Sequence, residues 1–267
     1  MKNNFSQKFA LFSLAMLLEI AINTAFAGKL TAQPSSALLN QEIIEPGEVV
    51  GEKVNFKPPK VGAPENRKGG ASRGTNCSRS QKSLKALLPT SNLGLTVEKY
   101  PTFFVYVPPI STQLAEFELR EGNDSTVVYK TRFMVPATTG VVNFSLPPNK
   151  TLQPLEIGKS YKWSFSIICD SEDRSKDLFV EGWVQRIEPS STLASQIEKA
   201  KPRDRPALYA ESGIWYETLM TLAELRYSYP QDSSLVAEWT ELLESVGLNN
   251  IAQEPLVPSS KKDQANR

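Results

Sequence analysis

The chain has 267 residues, with 30 Lys+Arg against 29 Asp+Glu and no histidine. Balanced charge gives no support to a global nucleic-acid or membrane-surface role. Without histidine, Ser-His-Asp and Cys-His catalysis and a His-ligated zinc site are excluded, because the usual neutral-pH base and the commonest metal ligand are missing.

At the N-terminus, Lys2 and Lys8 flank the start of an apolar run, Phe9 to Leu18, and Ala25-Phe26-Ala27 has the small-x-small pattern of a cleavage site. This reads as a secretory signal, residues 1–27, removed after Ala27. The run is shorter than the roughly 20 residues that span a bilayer, and Glu19 ends it. An uncleaved anchor is the alternative, but no cysteine follows that could take a lipid. The expected address is periplasmic or extracellular, with no membrane-spanning segment left after cleavage.

Residues 28–74 are rich in Pro, Gly, Ser and charge, and they read as a flexible tether. Lys57, Lys60, Arg67, Lys68 and Arg73 make its end basic, a candidate surface for an anionic polysaccharide or lipid. A plain solvated linker is the competing reading. Cys77 and Cys169 are the two cysteines. In an exported chain they are expected to pair, closing a loop of about 92 residues and contributing roughly 4–5 kcal/mol through chain entropy. Two reduced thiols are the alternative.

Residues 75–188 read as a β-sandwich. Candidate strands are Leu93–Val97, Phe103–Val107, Ala115–Arg120, Val127–Val135, Val141–Leu146, Tyr161–Cys169 and Leu178–Ile187, separated by Gly-, Asn- and Pro-rich turns. Leu155 to Trp163 resembles the corner of an immunoglobulin- or fibronectin-like domain, in which a tyrosine hydroxyl bonds back to upstream backbone. Past it, Tyr161, Trp163, Phe165, Ile167 and Cys169 alternate with polar residues and share one face.

Residues 189–252 read as helices. Ser190 or Ser191 caps the first, Pro202 and Pro206 open a second that ends near Gly213, a third runs from Trp215 to about Ser228, and a fourth lies between Asp232 and Gly247. Residues 208–232 are similar to the second half of a tetratricopeptide repeat, through Tyr209, Gly213, Trp215, Leu222 and Pro230. The first-helix Trp-Leu-Gly pattern is missing and there is no second copy. Residues 253–267 read as a disordered tail. The fold class is therefore α+β, an antiparallel sandwich followed by a tetratricopeptide-like unit.

Candidate chemistry is sparse. Asp170 to Asp177 holds the densest acidic cluster, but Arg174 and Lys176 within it favour an ion-paired loop over a calcium site. Tyr100, Phe103, Phe104 and Tyr106 put aromatic rings on both faces of one strand. Tyr100 and Tyr106 could grip sugars, although a strand covered on both faces gives the same pattern. Glu181, Glu211, Glu217 and Glu224 are possible hydrolase carboxylates, with no spacing that pairs them across a cleft. Past the signal segment, the Asn-x-Ser/Thr matches at Asn76, Asn123, Asn143 and Asn149 matter only in a eukaryotic host.

Ser91 to Thr96, Tyr100 to Pro108, Ile168 to Asp170, Asp173 to Ser175, Val180 to Arg186 and Glu211 to Glu217 together resemble the domain-of-unknown-function family numbered 928. The resemblance spans about residues 70–256 and implies a bacterial exported protein, mainly of cyanobacteria, with no catalytic residue to carry over. Residues and resemblance together lead to the expectation of a non-enzymatic envelope protein without cofactor or metal. Its partner would be another envelope protein or, alternatively, a polysaccharide of the cell wall; a carboxylate-dependent hydrolase is the third reading.

Overall fold

The computed structural model describes residues 53–60, 62–63, 77–78, 80–122, 126–148 and 152–258. The signal segment 1–27, most of the tether, and the tail beyond Pro258 lie outside the described residues.

Among the described residues, eight strands and four α-helices follow in order: β1 (Lys85–Ala86), β2 (Leu93–Thr96), β3 (Thr102–Val107), β4 (Leu114–Glu121), β5 (Val127–Met134), β6 (Gly140–Ser145), β7 (Ser160–Ile167), β8 (Leu178–Arg186), then α1 (Ser191–Lys199), α2 (Arg205–Glu211), α3 (Trp215–Ser228) and α4 (Ser233–Ser245). The seven expected strands are all present, and β1 is an addition. A two-residue strand has no alternation to betray it, so only its partner β3 reveals it. One sheet has the order β1-β3-β6 and the other β2-β8-β7-β4-β5. All pairings are antiparallel except β2 with β8, which is parallel. The expectation of a wholly antiparallel β region is corrected there: β2 and β8 are far apart in sequence, and no hairpin constrains their direction.

Alternation along β7 sends Tyr161, Trp163, Phe165 and Ile167 inward, where all four are buried. The Tyr161 hydroxyl accepts the Glu156 N–H at 3.1 Å, forming the expected corner. Every residue of β3 is buried because both of its faces are covered. Phe103 meets Phe117 and Trp163 of the larger sheet, at ring separations of 4.9 and 5.2 Å. Phe104 meets Trp239 of α4 on the other side, at 6.1 Å.

The helices keep their expected limits closely. The Ser190 side chain accepts the Leu193 N–H at 3.1 Å, and the Asp232 carboxylate accepts from Ser234 and Leu235. Gly213 ends α2 at φ +71°, and a Cβ there would meet the Lys57 carbonyl at 2.8 Å. Both facts demand glycine. From this turn α3 lies against β2 and β3, so it touches both sheets. The Tyr216 ring occupies the space a side chain on Gly94 of β2 would need. Its hydroxyl accepts from Trp163 Nε1 at 2.9 Å and donates to the Trp183 carbonyl at 3.2 Å. The helices of residues 189–252 and the sheets of residues 75–188 share one core.

Two further expectations change. The tether reading fails at residues 53–60, where Val54 and Phe56 are buried. Phe56 packs edge-on against Trp215 at 4.7 Å, and the Lys57 N–H bonds to the Ala210 carbonyl at 3.0 Å. One valine and one phenylalanine among prolines and charges make too weak a pattern to mark as core. The tail reading fails at residues 253–258: Leu256 bridges to Val141 of β6 and Val257 is buried. The Tyr227 hydroxyl donates to the Val257 carbonyl at 3.1 Å. Among the described residues, no helix is long and apolar enough to cross a membrane.

Candidate functional site

Three places gather chemistry-bearing side chains. The first surrounds the disulfide. Cys77 and Cys169 are bonded, with Cα atoms 5.5 Å apart, within the usual span for a bridge. Beside it, Asp177 accepts the Cys169 N–H on Oδ1 at 3.1 Å and the Arg174 Nε–H on Oδ2 at 2.5 Å. Arg174 also reaches Glu116 of β4 at 3.0 Å. Lys176 pairs with Asp170 at 2.8 Å and Asp173 at 3.3 Å. The acidic cluster is an ion-paired loop that crosses to the sheet.

Glu116 sits under three cations, with Arg132 Nε at 2.7 Å and Lys130 Nζ at 3.1 Å besides Arg174. Burial pushes its carboxyl up, but the hydrogen bonds from Arg174, Arg132 and Lys130 outweigh that and bring it down to about 2. Glu116 and Arg132 face each other directly across β4 and β5, as do Glu118 and Lys130. Such opposite-charge pairs help to set the register of two strands whose outer faces are polar.

The second place is the start of α3. Glu217 is 6 % exposed, one turn into a helix whose N-cap residue, Ile214, has no capping side chain. Its carboxylate accepts from Thr96 Oγ1 at 2.5 Å and from the Val97 N–H at 3.3 Å. Burial raises its pKa to about 7, the Thr96 and Val97 hydrogen bonds opposing and nearby Glu98 adding to the rise. The sequence offered Glu217 only as one of four carboxylates. Its first-turn position was legible, and its burial under β2 was not.

A carboxyl held at about 7 in the native chain, against an ordinary 4.5, binds its proton more tightly folded than unfolded. Native stability therefore falls as pH rises from about 4.5 to 7 and levels off above, with about 3 kcal/mol lost across that window. Urea midpoints at pH 5 and pH 8 measure the loss. Glu217→Gln is expected to remove most of the difference, and a slope unchanged in that variant would assign it to other groups. Glu116 acts in the opposite sense and at lower pH, so the two do not overlap.

The third place is a cleft of about 580 Å³ between the segment opening α2 and one side of α3, lined by Pro202, Arg205, Glu224, Leu225, Tyr227 and Tyr229 among others.

The residues expected to form a partner or glycan surface do not come together. Tyr106 is 1 % exposed, which corrects its placement on a surface: the β3 face it occupies is covered. Tyr100 is half-buried and its hydroxyl donates to the Leu152 carbonyl at 3.4 Å. Lys57 is exposed and ion-paired with Glu211 at 2.5 Å, and Lys60 is exposed. Arg67, Lys68 and Arg73 lie outside the described residues. Of the remaining carboxylates, Glu181 pairs with Lys162 at 3.3 Å, whereas Glu224 stands in the cleft.

Fold and sites define a two-sheet α+β protein with helices in the same core and one long-range disulfide. The family described as Domain of Unknown Function (DUF928) matches residues 68–256, and the chain belongs to that family. Among solved structures, the FN5 domain of Drosophila Lar is similar at 17 % identity, over 38 % of this chain and 91 % of that one, with a TM-score of 0.21. A likeness that slight carries no argument here. No curated protein matches the chain.

Proposed function

We propose that this is an exported, non-enzymatic envelope protein that works through contacts with another protein. Its β region would be an antiparallel sandwich of the immunoglobulin or fibronectin kind, with the parallel β2–β8 pair as its exception, and its helices a tetratricopeptide-like unit docked on it. The observation that carries the reading is the Cys77–Cys169 bond. Such a bond persists in oxidising compartments and is rare in the cytosol. The Tyr161 corner supports the sandwich, and the Gly213 turn leading into Trp215 supports the repeat-like helix pair. The apolar face of α3 is taken up by the two sheets, so a peptide groove of the kind repeat arrays offer is not part of the proposal.

A pull-down from native envelope fractions is expected to recover a reproducible protein partner, and recovery of none would count against the reading. The competing glycan reading predicts retention on insoluble envelope glycans that is abolished by deleting residues 57–75. Tyr106→Ala does not discriminate between the two, because it removes a core side chain.

A further inference from the structure

Residues 53–60 lie N-terminal to the 68–256 stretch that the family matches, yet two of their side chains, Val54 and Phe56, belong to the core. The segment forms neither helix nor strand, and burial alternates along it as in an extended chain. Lys53, Asn55 and Lys57 are exposed, whereas Val54 and Phe56 are buried. It crosses the helices from α4 to the turn between α2 and α3. Lys53 pairs with Glu241 of α4 at 3.1 Å. Phe56 then meets the Trp215 ring at the start of α3, and Lys57 pairs with Glu211 at the end of α2. The Lys57 carbonyl and the Pro59 ring lie over Gly213, where the missing side chain leaves them room.

The helices hold this segment as a groove holds a peptide. Two apolar side chains, two residues apart, are buried, and a cation on either side of them meets a carboxylate. The Lys57 N–H bonds to the Ala210 carbonyl near the end of α2. Pro58 and Pro59 have no N–H to give, so the chain beyond Lys57 cannot pass into a helix. A strap that merely closed the core would need Val54 and Phe56 but neither lysine, because exposed ion pairs add little stability. Paired charges at the rim select which chain binds and in which direction. The carboxylates belong to the helices and the cations to the segment, so the face is complementary to a basic chain.

We propose that the face from Glu241 to Gly213 is a docking groove for an extended, basic segment of a partner protein, and that residues 53–60 keep it closed as a built-in ligand. The partner segment repeats the chemistry of the strap: a phenylalanine on Trp215, a smaller apolar residue two positions earlier, and lysines that reach Glu241 and Glu211. A strap tethered beside its groove acts at an effective concentration on the order of millimolar, so the groove is open only when the strap is drawn away or outcompeted. The partner rests on the protein-contact reading; the groove and its strap do not.

The test uses the full chain and a synthetic peptide with the sequence of residues 53–60, blocked at both ends. Phe56→Ala in the protein releases the strap, and binding is followed by amide chemical shifts of Gly213, Trp215 and Glu241. The expected result is saturable binding that shifts those amides, about tenfold or more tighter in Phe56→Ala than in the native chain. A peptide with both lysines replaced by glutamate should bind about tenfold more weakly. If Phe56→Ala fails to fold, the double variant Lys53→Glu, Lys57→Glu takes its place, since both side chains are exposed and the apolar anchors stay. No shift at about 5 mM peptide (roughly the weak limit for a small ligand), equal binding to native and released chains, or equal binding of the charge-reversed peptide would each overturn the proposal. No native partner enters this measurement, so its failure is distinct from an empty pull-down.

Discussion

Replacing both cysteines, Cys77→Ser with Cys169→Ser, is expected to lower the stability of the folded chain by about 4–5 kcal/mol, a large fraction of the roughly 5–15 kcal/mol that domains possess. The bridge joins residues 92 apart in sequence, so cutting it returns a long loop's worth of freedom to the unfolded chain. It links the segment before β1 to the end of β7, and β1 is a two-residue edge of the smaller sheet with little pairing of its own. The native loop keeps other ties: the Asp177 carboxylate still accepts from Cys169 N–H, and Arg174 still spans Asp177 and Glu116. Circular dichroism of the variant at low temperature should therefore look native while its urea midpoint falls. The unsubstituted protein should show the same fall with reductant, and coincident midpoints in all conditions would refute the assignment.

Tyr216→Ala is expected to cost about 4 kcal/mol or more. The ring fills the space opposite Gly94 and packs edge-on against Phe103 at 5.2 Å. Removing it opens a cavity between α3 and both sheets, and it leaves Trp163 Nε1 and the Trp183 carbonyl without their partner. Tyr216→Phe keeps the packing and removes only the hydroxyl, so its cost should be about 1–3 kcal/mol. The informative measurement is cooperativity. Tryptophan fluorescence and far-UV circular dichroism should lose structure in one coincident transition in both variants. Two separated transitions would mean that helices and sheets unfold independently, contrary to the shared core.

Where regular alternation or helical spacing was long, the elements could be placed from the residues alone. β7 is an example, with four inward aromatic and aliphatic side chains in eight residues; α3 is another, opened after Gly213 and ending before Pro230. The candidate sites are less legible. Tyr106 reads either as a surface ring or as part of a strand covered on both faces, because the same aromatic pattern describes both, and the structure has the covered strand. Arg205, a lone arginine beside a proline, carries no signal in the sequence until α3 is laid against it. Phe56 and Val257 read as parts of a tether and a tail, because short apolar contributions from chain ends show no periodicity.

The sequence by itself determined the absence of histidine chemistry, the identities of the helices and of every strand but β1, and the one possible cysteine pairing. Those follow from residue type and from spacing along a single element. Only the tertiary structure decided that β2 runs parallel to β8, that Glu217 is buried on Thr96, and that Arg205 and Glu224 share a cleft. Each of these depends on segments distant in the chain meeting in space, and burial, which sets the protonation of Glu217, exists only once they have met.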